Sequence, residues 1–488
     1  MEPTLLATDS PQELTKQTPE VQTTGLLSSV SSPIKSAVGL YQFSPQAVSQ
    51  PTTEADIVQT IQWANEQGLR VRAIGALHSA VPLPATGGRC IALEQYNQVL
   101  KTEGTLVTVQ SGLRLRELND FLAGQGLALP TLGTIAQQSV AGAISTGTHG
   151  GSIHCKSLSG YVQAMRIVQA NGNVIEVNCT DALFDALAIS LGTLGILSTV
   201  TFQCVPAFSL KTKVVSMPAT ALIENFNTIH RQNQFVDIRY SPITDRAHAA
   251  LMNASKSPTD NISGHSEPPK NPKPLTNDIR WQAPQAKPQL QSLVDNINKL
   301  GQRLFSTHKF NWIQRQAIEH YDKNIYRTVC GRSDFVLTHF DVTSTDLIAN
   351  ESRNDLDPVA DMEVAIAYSC AGEALTALRN YFQSTQKFPS MHIHLRAQAA
   401  ESFWLSPTHG EPICWIEFWE YPCTGKFFQT MIEILHPFNP RGHWGKQLPT
   451  SPTKQYNQWQ NFTNIRQQWD PKGLFSNTYL DKLQAGHI

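Results

Sequence analysis

The chain has 488 residues, 41% of them hydrophobic and 16% charged, with a formal net charge of -1. That length accommodates two or three cooperating domains, and the near-zero charge excludes a global field drawing the chain to nucleic acid or an anionic membrane surface. Eight cysteines lie scattered without a C-x-x-C pair or a His/Cys cluster at metal-ligand spacing, so free thiols in a reducing compartment are expected, with no metal site.

Residues 1–40 are rich in Ser, Thr, Pro and Gln, carry Glu2, Asp9, Glu13 and Glu20 and contain no arginine. They fit neither a secretory signal nor a transit peptide and are expected to be a disordered tail. No apolar run approaches the roughly 20 residues that a spanning helix needs. The reading at this point is a cytoplasmic protein, with peripheral membrane contact left open.

Order is expected from Tyr41. Thr53 and Asp56 form a capping signal, followed by Ile57, Ile61 and Ala64 at helical spacing until Gly68. Alternation over Arg70 to Ile74 predicts a strand leading into Gly75-Ala76-Leu77-His78-Ser79. A strand at Leu106 to Gln110 and a helix presenting Leu115, Leu118 and Leu122 follow, closed by Gly124 and Gly126. Small residues dominate Ser139 to Gly151, a composition suited to close backbone approach. Arg166 to Val177 reads as a hairpin turning at Asn171-Gly172. A helix is expected from Phe184, running towards Ile196 through a second close-approach turn at Leu191 to Ile196.

Texture changes near Val205, where a domain boundary is placed. Ser255 to Pro274, with five prolines among Ser, Asn and Lys, reads as a flexible surface insertion. Strand alternation returns at Met391 to Gln398 and Cys414 to Trp419, and Asp470-Pro471-Lys472-Gly473-Leu474-Phe475 is a turn-rich close. No internal repeat is found.

Four groups of residues could carry chemistry. The loop after Ile74 offers backbone N–H groups to a pyrophosphate, without a Rossmann fingerprint; taken alone, a His in such a loop is more often structural. A second small-residue loop, Thr146 to Gly150, suits a long folded ligand with a diphosphate in its middle, or tight sheet–helix packing. His392, His394 and Arg396 share one strand face, as do Glu417 and Trp419. Buried together these would form an acid/base set with a fixed cation; exposed, an ordinary polar sheet face. Arg441-Gly442-His443-Trp444-Gly445-Lys446 adds two cations near an indole.

From about Thr52 to Leu480 the sequence resembles the aldonolactone oxidase and alditol oxidase branch of the vanillyl-alcohol-oxidase (PCMH-type) FAD-linked oxidases. Three blocks carry the resemblance: R-x-x-G-x-x-H-S at Arg72 to Ser79, S-V-A-G-A-I-x-T-G-T-H-G at Ser139 to Gly150, and H-W-G-K at His443 to Lys446. The implied fold is α+β, a two-subdomain PCMH-type FAD-binding domain under an α+β substrate (cap) domain. The division places FAD binding in 41–205, the cap in 206–437 and a segment returning to the flavin in 438–488.

The resemblance implies that His78 bonds covalently to the flavin, in a loop formed by Arg72, Ala73, Ile74, Gly75, Ala76, Leu77, His78 and Ser79. It implies that Ser139, Gly142, Thr146, Gly147, Thr148 and His149 line the cofactor, with Ile196 and His443 approaching it. Thr134 would stand beside flavin and substrate, Gly133 would leave dioxygen a route, and Trp419 would face the substrate. His394, Arg396, Glu417 and Lys446 would be catalytic. The expected activity is hydride removal from a small polyol or sugar lactone (D-arabinono-1,4-lactone oxidase-like), with dioxygen reduced to hydrogen peroxide. A sterol or other bulky-alcohol oxidase on the same scaffold, or a flavin-binding protein without turnover, are the alternatives.

Two departures from the family pattern stand out. Leu77 replaces a loop glycine. The usual E-x-R motif reads His394-Leu395-Arg396, while Glu417 stands where polyol-oxidising relatives place a His. An exchange between neighbouring strands would preserve a facing carboxylate–imidazole pair, with the imidazole as base and the carboxylate orienting it; alternatively the substrate pocket has diverged. Cys155 is read as a free thiol.

Overall fold

The computed structural model describes residues 33–254, 334–338, 360–389, 392–420, 425–449, 451–452 and 455–486. Of the expected tail, residues 1–32 lie outside these limits, as does the expected insertion at 255–274. Order begins before Tyr41: Ile34–Lys35 pairs antiparallel with Gln42–Phe43, and Ile34 and Phe43 cover a small core of Val48, Ile74 and Cys90. Apolar residues at both ends of that loop are what the polar composition of the tail concealed.

Two larger sheets follow before residue 204. A parallel three-stranded sheet has the order Ala47–Ser49, Arg89–Ala92, Val71–Ile74. The helix Glu54–Glu66 packs on it through Ile57, Ile61 and Ala64. It starts where the sequence places it, because the Thr53 hydroxyl accepts from the Asp56 amide at 3.2 Å and the Asp56 carboxylate accepts from the Thr53 amide at 2.9 Å. The second sheet is antiparallel, ordered Val174–Asn178, Val162–Val168, Ile196–Gln203, Leu106–Gln110, Val99–Glu103. The hairpin predicted around Asn171-Gly172 forms its outer edge, with Gly172 at φ 83°.

The expected helix towards Ile196 stops after Phe184–Leu187. Leu191 (φ 56°), Gly192 (φ 62°) and Gly195 (φ 147°) all take positive φ, which no continuing right-handed helix admits. The Ser139–Gly147 stretch contains a helix instead, Val140–Thr146, begun by the Ser139 cap and ended by left-handed Gly147 at φ 73°.

From Ser209 onward the strands build one eight-stranded sheet. Its order is Asp334–Thr338, Ser209–Pro218, Arg246–Ala254, Phe235–Ser241, Ile393–Gln398, Ile413–Glu420, Ala360–Ala367, Arg441–Gly442. Pleat alternation splits this sheet chemically. One cross-strand row, Ile238, Leu395, Ile416 and Val364, is apolar and joins a core with the helices Ala219–Gln232, Ala371–Thr385 and Lys426–Leu435. The next row, one residue along, is Arg239, His394, Glu417 and Glu363, and it necessarily points to the opposite face. The closing helices Trp459–Trp469 and Thr478–Gln484 return to the first half of the chain, where Phe462, Leu480 and Leu483 enter the core of the antiparallel sheet.

Candidate active site

A cavity of about 290 Å3 runs between the loop after the parallel sheet and the polar face of the eight-stranded sheet. Its first wall is backbone-rich: Arg72 to Ser79, then Ser139, Gly142 and Thr146, and Ile196. Gly75 must be glycine here, because a Cβ would lie 1.9 Å from Ser139 Oγ. Leu77 takes the left-handed conformation, φ 56°, so the loop keeps a glycine-type turn although its residue is leucine. No described residue accepts a hydrogen bond from the Ala76 or Leu77 amides. Two amides beside a left-handed residue form an anion-holding concavity suited to a pyrophosphate. The cavity therefore fits a dinucleotide-type cofactor on its own geometry.

The His78 loop is tied to the distant Lys446 loop. The Ala80 amide donates to the Gly445 carbonyl at 2.7 Å, and the Ser79 hydroxyl donates to Val81 O at 2.8 Å. His78 itself lines the cavity. Arg72 also lines it, but its guanidinium is spent on protein: Nη1 donates to Gly192 O (2.9 Å) and Phe475 O (2.7 Å), and Nη2 donates to Leu191 O (2.7 Å). It locks together the segments carrying Arg72, Leu191-Gly192 and Phe475.

The opposite wall carries the charged groups. His394, Glu417, Trp419, His443 and Lys446 all line the cavity, with Thr134 between the walls. His394 Nδ1 lies 2.9 Å from Glu417 Oε2, so the facing pair is formed across adjacent strands. His394 Nε2 lies 2.5 Å from Asp237 Oδ2. Both ring nitrogens thus meet carboxylates, and neither is left facing the cavity, which differs from the expectation that the imidazole meets substrate. Trp419 stacks on the His394 ring at 6.2 Å and 14°. Arg396 lies outside the cavity lining, yet it donates through Nη1 to Thr134 Oγ1 at 3.1 Å and through Nη2 to Glu363 Oε1 at 2.5 Å. Lys446 Nζ bridges Glu417, Glu363 (3.1 Å) and Asp361 (3.3 Å).

Gly133, Gly147, Thr148 and His149 are not among the lining residues. Thr148 exchanges hydrogen bonds with the Gln138 side chain, and Gly133 lies so close that a Cβ there would sit 2.6 Å from Thr148 Cγ2. His149 stacks on Trp415 at 4.3 Å and 7°, behind the wall. Burial pushes its imidazole down to about 4, so its Nε2, 3.5 Å from Glu363, belongs to a neutral ring. Glu363 and His443 complete a buried cluster with His149. The Arg396 and Lys446 charges hold the Glu363 carboxyl well below the usual carboxylate range against the cost of burial.

Asp237, Arg239, Asp361 and Glu363 were not singled out from sequence. Each sits at i, i+2 spacing with its partner, Asp237 with Arg239 and Asp361 with Glu363. That alternation in apolar strands was the available signal.

The chain matches the D-arabinono-1,4-lactone oxidase family over residues 200–483, more than half its length, and the FAD binding domain family over residues 45–178. The chain belongs to the D-arabinono-1,4-lactone oxidase family. It is 27% identical over 453 residues to the L-gulono-1,4-lactone dehydrogenase of Mycobacterium tuberculosis, covering 90% of this chain and 96% of that protein. The L-gulonolactone oxidase of Scyliorhinus torazame is 26% identical over 459 residues, 91% of this chain and 96% of its own. The D-arabinono-1,4-lactone oxidase of Kluyveromyces lactis is 32% identical over 218 residues, 43% of this chain and 42% of its own. A crystal structure of cholesterol oxidase from B. sterolicum superimposes with a TM-score of 0.71 at 16% identity, over 93% of this chain and 96% of that one. At that identity the likeness concerns the fold alone. As a D-arabinono-1,4-lactone oxidase family member the chain is an FAD-dependent oxidoreductase that uses oxygen, with the α+β PCMH-type architecture.

Proposed function

We propose that the protein oxidises a sugar 1,4-lactone at a carbinol carbon, with FAD bound covalently through His78. Bound FAD supplies the acceptor for the hydride. The chain's own residues handle the proton and the charge. The observation that carries this reading is the His394–Glu417 pair, buried on the cavity wall at 2.9 Å and flanked by Lys446. A paired carboxylate there accepts the hydroxyl proton, while Arg396 and Lys446 provide fixed positive charge where negative charge develops. Thr134, held by Arg396, orients the hydroxyl. Relatives matching at least nine-tenths of the chain are named for L-gulonolactone chemistry, which favours a lactone over a free polyol or a sterol.

In this reading the two sheets before Val205 bind the cofactor, the eight-stranded sheet presents the substrate, and the segment from residue 438 brings His443 and Lys446 back to the flavin. A cytoplasmic location is supported by six described cysteines, all free thiols, Cys155 among them. No described helix is long and apolar enough to cross a membrane.

Hydrogen peroxide release over a panel of 1,4-lactones, alditols and cholesterol tests the proposal. Turnover confined to lactones is expected; turnover of cholesterol alone, or of nothing, overturns it. Acid precipitation of the protein tests the link to His78: the yellow colour stays with the pellet if the bond exists and passes to the supernatant if it does not.

A further inference from the structure

Beside the polar row of the eight-stranded sheet, on the same sheet face, Asp237 contacts both Arg239 and His394. Asp237 Oδ1 accepts from Arg239 Nε at 3.0 Å, and its Oδ2 lies 2.5 Å from His394 Nε2. On the far side of the same ring, Nδ1 lies 2.9 Å from Glu417 Oε2. The three side chains form one line across three adjacent strands, with His394 in the middle and almost fully buried at 1% exposure. Glu417 lines the cavity and Asp237 does not. Asp237 is the most solvent-touched of the three, at 23% exposure.

Proton counting makes this arrangement informative. A neutral imidazole has one N–H, yet two carboxylates contact its two nitrogens, so the second contact needs a further proton, on Nδ1 or on Glu417. The surrounding charges agree. The carboxylates are Asp237, Asp361, Glu363 and Glu417, and the permanent cations are Arg239, Arg396 and Lys446. Four negative charges against three positive leave one, which one retained proton cancels. Burial, Arg239 and Arg396 favour the neutral form of His394; against them stands the geometry, a carboxylate within hydrogen-bond distance of each ring nitrogen, which only a further proton satisfies. His392, on the same strand, faces Arg239 and His248 and is kept neutral chiefly by burial.

We propose that Asp237 is a positioning residue for the reaction: it pins a proton on His394 Nε2, so that Glu417, and not the imidazole, takes the proton of the substrate hydroxyl. The step balances simply. The substrate O–H bond breaks, its proton goes to a Glu417 oxygen, and the proton already shared with His394 remains on Nδ1. The imidazolium so defined sits between Asp237 and Glu417, the arrangement in which an orienting carboxylate is most effective. The inference rests on the proposed lactone oxidation for its substrate, but the hydrogen-bond geometry does not.

The test uses the flavin-loaded enzyme with Asp237→Asn and Asp237→Glu, mixed anaerobically with L-gulono-1,4-lactone. Asp237→Asn keeps the size and loses the charge. Its flavin bleaching is expected to slow roughly ten-fold or more, with an altered pH profile, unchanged flavin content and little change in KM. Asp237→Glu is expected to recover part of the rate. Independently of turnover, 15N-histidine NMR of the parent is expected to show a strongly downfield ring N–H proton at His394 that Asp237→Asn loses. Parental bleaching and pH profile in Asp237→Asn, or a His394 ring unprotonated at Nε2 in the parent, overturns the inference. Glu417→Gln separates it from the functional reading. If Glu417→Gln is inactive while Asp237→Asn is parental, only the Asp237 assignment falls; if Glu417→Gln bleaches as the parent does, the base assignment falls with it.

Discussion

Leu77 shows what one residue position can and cannot announce. The family pattern has glycine there, and the structure retains the left-handed backbone, φ 56°, with a leucine in it. The strain of roughly 1–2 kcal/mol is offset in part by packing against the core beneath it, which includes Ile74 and Cys90. The His and Ser that follow keep their places on the cavity side, so the substitution alters the cost of the loop and not its use. Gly133 is the opposite case, a glycine set by its neighbour, since a Cβ would meet Thr148 Cγ2 at 2.6 Å. If this position provides the oxygen route, Gly133→Ala should slow turnover with dioxygen relative to turnover with an artificial dye acceptor. Thr148→Ser in addition should relieve the clash and, in part, the stability loss. An unchanged ratio of oxygen to dye turnover in Gly133→Ala would remove the assignment.

At the scale of elements, the strands carrying His394 and Glu417 were legible because alternation fixes which residues share a face. Register was not legible: only the backbone pairing shows that His394 stands opposite Glu417 and that Glu363 continues the row. Asp237 and Arg239 lie on Phe235–Ser241, where the sequence shows no motif, so the second carboxylate contact to His394 was invisible. The expected helix after Phe184 failed for a readable reason, since a Leu-Gly-Thr-Leu-Gly run carries two glycines in positive φ. That irregular turn is held by Arg72, which also holds the closing segment through Phe475 O. Lys cannot reproduce a planar fork reaching three carbonyls. Arg72→Lys should therefore destabilise the protein by about 2–4 kcal/mol, as buried carbonyls lose charged donors, and weaken FAD retention. A melting temperature and flavin content equal to the parent would show that the lock is dispensable.

For the whole molecule, the change of texture near Val205 coincides with the place where strands leave the antiparallel sheet and join the eight-stranded one. What could not be read was how many histidines the fold would bury as neutral rings. Burial pushes His149 down to about 4 and His230 down to about 3. His230 packs between Phe226 and Tyr368, away from the cavity, with no hydrogen-bond partner among the described residues. Between these values and 6.5 the unfolded chain binds protons that the native protein does not, so stability falls as pH drops below about 6.5 and is insensitive to these groups above it. Each such histidine contributes a slope of about 1.4 kcal/mol per pH unit. Replacing His230 with Phe should remove one proton's worth of that slope from urea-unfolding stabilities measured between about pH 6 and pH 4. An identical slope in the variant would contradict the assignment of His230 as a buried neutral ring.

In the proposed function a carboxylate–imidazole pair on the cavity wall serves the flavin-dependent oxidation of a lactone. Its most direct test is anaerobic mixing of the loaded enzyme with L-gulono-1,4-lactone, following the visible flavin band in the parent and in Glu417→Gln. The parent is predicted to bleach within its turnover time and Glu417→Gln to bleach about 100-fold more slowly or worse, with equal flavin content in both. Bleaching of Glu417→Gln at the parental rate, or no bleaching of the parent by any lactone, would contradict it.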